Sequence, residues 1–255
     1  MRCTRRWVEF RLVLTSWIAL VLSSCVQTPT GPRGQDESTR THQADRQPLR
    51  PRIVDFQPGI RIDYRIPQVE IEAEVILREG QLELFAYSKA PTPKGHETIL
   101  LLKSRPKSIY LALGLVGLTP GRPMAYDWKT QETRQPTGDP VDVRVRYEDK
   151  GLVTEVSACD WMLDLARRRP MRPTHWLFTG SRRWEDGRFA ADVEGTTVTV
   201  VNFDTALLTL PSLHSDSDAD LWLAANTEAI PPIGTQVTLI LRPAQPAHRP
   251  QPNVE

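Results

Sequence analysis

Val69-Glu70-Ile71-Glu72-Ala73-Glu74-Val75 alternates apolar and acidic side chains without a break. A period of two sends successive side chains to opposite faces, so residues 69–75 read as a strand with one buried and one wet face. Just upstream, Ile60, Ile62 and Tyr64 alternate with Arg61, Asp63 and Arg65, and Ile66-Pro67 interrupts the pattern. The basic outer face of one strand can pair with the acidic outer face of the other, at about 0.2–1 kcal/mol per pair. After the turn at Glu79-Gly80, Leu82, Leu84 and Ala86 point inward again, and the spacing predicts a hairpin with residues 69–75.

The same period recurs downstream. Thr98 to Leu102 is a continuous apolar strand, buried on both faces. Val141, Val143, Val145 and Tyr147 alternate, Asp149-Lys150-Gly151 turns the chain, and residues 152–156 pair back. Residues 174–178, 189–193, 196–201, 221–225 and 236–241 read as further strands, with residues 129–140 as a polar loop. Residues 160–165 and 204–208 read as short helical turns, and Thr119-Pro120-Gly121-Arg122 as a type II turn. Residues 109–116 are apolar nearly all round, which marks a buried helix starting near Pro106 and stopping at Gly117. The implied fold class is α+β and β-rich: antiparallel and mixed sheets packed around one buried helix at about 106–116, plus short helical turns.

Outside residues 53–242 the composition changes. Met1-Arg2-Cys3-Thr4-Arg5-Arg6 is basic, and an apolar run of about 11 residues follows. A bilayer span needs about 20, so residues 1–24 read as a signal peptide. Leu22-Ser23-Ser24-Cys25 resembles the bacterial lipobox, in which the cysteine is diacylated and becomes the first residue of the mature chain. The membrane is then a partner through Cys25, and the location is the cell envelope. Val26 lacks the acidic residue of an inner-membrane retention signal, which favours the periplasmic face of the outer membrane. Residues 25–52 and 243–255 are rich in Pro and polar residues and read as a disordered tether and tail. A tether of that length reaches about 30 Å.

The whole chain holds 32 basic and 31 acidic residues. Removing residues 1–24 takes four arginines and one glutamate and leaves a formal net charge of −2. No strong field favours nucleic acid. Of the three cysteines only Cys159 lies in the domain, too few for a disulfide, a zinc ribbon or an iron–sulfur cluster. No cofactor or metal is expected.

The pattern resembles the bacterial YdjY-domain family from about Gln81 to Pro243. The resemblance rests on Leu82-Glu83-Leu84-Phe85-Ala86, His96-Glu97, Leu111-Ala112-Leu113 and Pro120-Gly121-Arg122-Pro123. It continues through Trp176-Leu177-Phe178-Thr179-Gly180-Ser181, Ala191-Asp192, Asn202-Phe203-Asp204 and Pro232-Ile233-Gly234-Thr235-Gln236-Val237. The family is of unknown function and implies little chemistry. Some members carry a ferredoxin-like label, but Tyr87 stands here where a family cysteine is expected.

His96-Glu97 is the first candidate site, a general base or metal ligand at a strand mouth, or a pair that holds a loop. Ser181 follows Gly180 and could join Asp192 and His96, His175 or His214 in a triad, but the surrounding residues are not G-x-S-x-G. Asp216, Asp218 and Asp220 resemble the start of a calcium loop that lacks its glycine and its final glutamate. Arg167, Arg168, Arg169 and Arg172, with Arg182 and Arg183, form a basic cluster for a polyanion or a solvated face. Asn202 and Asp204 read as caps, Trp161, Trp176 and Trp222 as core, and Cys159 as a small buried residue. The functional reading is a lipid-anchored binding module whose envelope partner is a protein or polymer. The alternatives are an envelope hydrolase or metal-assisted enzyme using His96 and Glu97, and a purely structural envelope protein.

Overall fold

The structure is a computed structural model that describes residues 52–91, 93–211 and 221–244. Cys25, the leader, most of the tether, the last residues of the tail, His214 and the Asp216–Asp218–Asp220 loop lie outside the described residues.

In chain order the strands begin with β1 (Ile53–Gln57), β2 (Ile60–Asp63), β3 (Gln68–Val75), β4 (Leu84–Ser88) and β5 (Thr98–Leu102). Helix α1 (Pro106–Leu115) follows, then four short strands, β6 (Pro120–Arg122), β7 (Ala125–Asp127), β8 (Glu132–Arg134) and β9 (Thr137–Gly138). Next come β10 (Pro140–Asp149), β11 (Leu152–Ser157), β12 (Met162–Asp164), β13 (Arg169–Pro170) and β14 (Trp176–Phe178). The chain ends with α2 (Ala190–Glu194), β15 (Thr196–Thr199), β16 (Leu208–Thr209), β17 (Leu223–Ala225) and β18 (Gln236–Pro243).

Eight of these strands close on themselves in the order β3-β18-β10-β14-β16-β15-β4-β5, and β5 pairs back onto β3. An eight-stranded barrel is just wide enough for side chains to fill. Val69, Ile71, Ala73 and Val75 of β3, Leu239 and Leu241 of β18, and Val141, Val143 and Val145 of β10 are all buried. At one end Trp161 packs against Phe85 at 6.3 Å, and Phe85 against Trp176 at the same distance. The Trp176 indole donates to the Thr199 carbonyl at 2.9 Å, so its polar edge is satisfied.

The expected arrangement of sheets around a central helix is therefore wrong: the core belongs to a closed barrel, and α1 lies at its rim. Tyr110 of α1 packs at a tilt against Phe178 of β14 at 5.4 Å, and the same helix contacts β2 and β3. Ile109, Ala112 and Leu113 plug this end, but Leu111 and Leu115 stay 49% and 50% exposed. A helix apolar on every face need not be buried on every face. Gly114 makes no close approach to a neighbouring element, since a methyl group there would meet nothing within 4 Å. Gly117 does stop the helix, at φ +90°, with the Leu118 amide donating back to the Leu113 carbonyl.

The hairpin expected between residues 69–75 and 82–86 does not form. β4 instead runs parallel to β5 and antiparallel to β15. The turn expected at residues 119–122 is strand β6. Gly121 is needed there because its backbone passes so close to the Thr137 carbonyl that any side chain would overlap it. The polar stretch 129–140 is part of an arm, in which β6 pairs β9 and β7 pairs β8. Of residues 189–193, expected as strand, Phe189 makes an isolated bridge and the rest lie in helix α2; residues 162–164 are strand, and residues 204–208 form no helix.

Strand directions define two ends. The chain enters at the N-terminus of β1, where Ile53 pairs with Asp63 and Asp63 with Gln68. β5, β4 and β14 finish at this proximal end, and α1 and the arm stand on it. The distal end carries a small sheet, β13-β12-β17, which is tied to the barrel by the Leu82 amide donating to the Leu223 carbonyl.

Candidate functional site

His96 lies in a single 3-10 turn, Gly95–Glu97, directly before β5 at the distal end. Its ring is 77% exposed, and Nε2 is 3.5 Å from a Glu97 oxygen. Glu97 is the more constrained partner. Lys94 Nζ sits between Glu83 at 3.0 Å and Glu97 at 3.1 Å, and also lies 5.1 Å from the centre of the Phe203 ring. Burial pushes the Glu83 carboxyl up, the neighbouring Glu97 carboxyl adds to it, and Lys94 only partly offsets them. The Glu83 carbonyl also accepts the Val200 and Val201 amides, which fastens this cluster to the barrel wall. The geometry is a clamped loop with an exposed imidazole beside it.

Ser181 and Asp192 lie at the opposite end, each bonded to a different partner. The Ala191 amide donates to Ser181 Oγ at 3.0 Å, and Ser181 Oγ donates to the Thr205 carbonyl at 2.7 Å. Ser181 holds φ at +61° to make both bonds. Asp192 Oδ1 accepts the Lys107 amide at 2.8 Å, so a side chain of α2 caps the first turn of α1. His96 precedes β5 and Lys107 follows it, so a strand of five residues, roughly 15 Å, separates the histidine from the aspartate. His175 leads into β14. Among the described residues no triad assembles, and no three or more His, Cys, Asp or Glu side chains group closely enough to hold a metal ion.

The remaining candidates disperse. Arg167 pairs with Asp164 at 2.6 Å on the distal sheet, whereas Arg182 pairs with Asp204 at 3.2 Å at the proximal end. The arginines therefore form no single cluster, and Asp204 is an ion-pair partner, not a cap. Asn202 is buried and donates to Thr209 Oγ1 and to the Leu210 carbonyl. Cys159 is buried, and burial pushes its thiol up, away from reactivity.

Two further features escaped the sequence reading. The first is a charged wall on the outer face of β2, β3, β18, β10 and β11. Glu70 accepts from Arg61 at 2.5 Å, from Gln68 at 2.8 Å and from Arg146 at 2.8 Å. Arg146 continues to Glu155 at 3.5 Å, and Glu155 accepts from Arg144 and Arg242. The Arg61–Glu70 pairing was expected from strand alternation, but its extension across β18 to β10 and β11 was not.

The second feature is the tip of the arm. Trp128 is 79% exposed, more than any other large apolar side chain described. Tyr126 meets its ring edge-on at 4.5 Å, and the Tyr126 hydroxyl donates to Gln131 Oε1 at 3.0 Å. Gln131 Nε2 donates in turn to the Trp128 carbonyl at 3.1 Å. Asp127 accepts the Lys129 and Thr130 amides and pairs with Arg134 at 3.2 Å. The available signal was Tyr126-Asp127-Trp128, two aromatics two residues apart inside a polar stretch.

The profile of a family described as the YdjY domain matches residues 60–242. No curated protein matches the chain, and no solved structure does.

Proposed function

The chain belongs to the YdjY-domain family, and from that premise we propose that it is a lipid-anchored binding module of the cell envelope. Cys25 holds it to a bilayer, on the periplasmic face of the outer membrane. The anchor reading is supported by the basic leader, the short apolar run and Leu22-Ser23-Ser24-Cys25.

The observation that carries binding over catalysis is the commitment of the candidate reactive groups. Ser181 Oγ and Asp192 Oδ1 each tie α2 to another element, and Glu97 is bound to Lys94. The barrel interior is filled with apolar side chains, so a partner meets the outer surface. The hydrolase reading keeps one favourable observation, the raised Glu83 carboxyl beside Glu97.

Labelling with radioactive palmitate tests the anchor. Wild-type protein is expected to incorporate label and to fractionate with membranes, and Cys25→Ser to do neither. A pull-down from envelope extracts with the Cys25→Ser chain tests binding. Recovery of one stoichiometric partner is the expected result, and hydrolysis of an envelope substrate that Glu97→Gln abolishes would replace this reading with the enzymatic one.

A further inference from the structure

We propose that the proximal end of the barrel faces the bilayer and that Trp128 at the arm tip inserts into the phospholipid interface. The inference rests on the anchor reading and specifies which surface meets the membrane. Ten large apolar side chains are exposed among the described residues, and six of them, Ile53, Tyr64, Ile66, Leu111, Leu115 and Trp128, belong to this end. Single exposed apolar residues are ordinary, but their convergence on one end is not. This is also the end at which the 27 residues between Cys25 and Ile53 join β1. Along the chain, the proximal end is therefore the one nearest the anchor.

The arm tip identifies the occupant. The side chains that brace the ring are used internally: Asp127 on two amides and Arg134, Gln131 on Tyr126 and the Trp128 carbonyl. A sugar needs such groups free beside its aromatic platform. What the tip offers is a bare indole with an edge-on phenol, preset by hydrogen bonds and flanked by Lys129. Tryptophan and tyrosine with an adjacent lysine suit the headgroup layer, where an apolar ring body and a polar edge are both satisfied. Charge at this end is mixed, with exposed Arg52, Lys89, Arg105, Lys107, Arg122 and Lys129 standing beside Glu132, Glu185 and Glu194. Neutral lipid isolates the apolar insertion of Trp128 from the attraction of these cations to anionic headgroups.

The test uses the chain from Cys25 onward carrying Cys25→Ser, with vesicles of phosphatidylethanolamine and phosphatidylcholine, part of the latter brominated. The chain is expected to sediment with the vesicles, and Trp128→Ala to lower the partition coefficient about tenfold. The fluorescence difference between parent and Trp128→Ala should be blue-shifted and quenched by bromine. Equal partition of the two proteins, no sedimentation, or a Trp128 signal that responds to soluble envelope polysaccharide but not to vesicles would each overturn the proposal. Palmitate labelling of the wild type separates the two readings. Labelled protein without a Trp128 response fails this inference alone, and an unlabelled chain whose Trp128 still enters vesicles fails the anchor alone.

Discussion

Replacing Glu70 by Ala removes the hub of the charged wall. Its side chain is 8% exposed and accepts from Arg61, Gln68 and Arg146. A hydrogen bond to a charged group contributes about 1.5–3 kcal/mol, and a buried pair broken on one side leaves an uncompensated charge. Two discounts apply. Arg61 is half exposed and rehydrates, so its share falls below about 1 kcal/mol. Arg146 keeps Glu155 at 3.5 Å. The net expected loss is about 2 kcal/mol by urea unfolding at pH 7, or about 4–8 °C in Tm for a domain of this size. Burial pushes the Glu70 carboxyl up, but Arg146 and Arg61 outweigh it and hold the group below the ordinary range. The stabilisation is therefore complete above the unfolded value of about 4.3 and is lost as pH falls through the lower folded value. Glu70→Ala should lose less stability than the wild type on acidification. A double-mutant cycle with Arg146→Ala should show coupling of at least about 1 kcal/mol. A loss under about 0.5 kcal/mol, or strict additivity, would refute the claim that this wall is a connected ion-pair network.

Asp192→Ala should cost about 1 kcal/mol in urea unfolding through loss of the cap on α1, and Asp192→Asn should retain most of it. His96→Ala should change stability by less than about 0.5 kcal/mol, because its ring stands in solvent. Glu83 has its carboxyl raised, so the folded state holds its proton longer than the unfolded chain does. The wild type therefore loses stability as pH rises from about 4.3 through the folded value, and Glu83→Gln should flatten that window in unfolding curves taken between pH 4 and pH 7. Gly121→Ala should break the arm while sparing the barrel, since the new methyl overlaps the Thr137 carbonyl. Amide exchange over residues 120–138 should accelerate, with β3, β10 and β18 unchanged; global unfolding would show that the arm is part of the core.

The strands of the wall were legible because their period is local: Ile60 to Val75 and Val141 to Tyr147 each declare a buried and a wet face within a few residues. Closure was not legible, because it is decided by partners far apart in the chain. Ala73 meets Leu102, and Val198 meets both Ala86 and Leu208, pairings that no alternation encodes. Missing the closure misplaced the helix. With eight strands filling their own interior, no cavity remains for α1, and its apolar outer face at Leu111 and Leu115 is left in solvent. The same logic separates the two sites. His96-Glu97 was readable as a neighbouring pair, yet its meaning depends on Lys94 and on Glu83, which looks outward by alternation and is buried in fact. Trp128 was passed over because an aromatic residue is expected to seek the core. It stays outside while Asp127, Gln131 and Tyr126 spend their hydrogen-bonding groups holding the turn beneath it. Under the proposed insertion, the lipid interface covers the apolar area that the fold itself leaves in solvent.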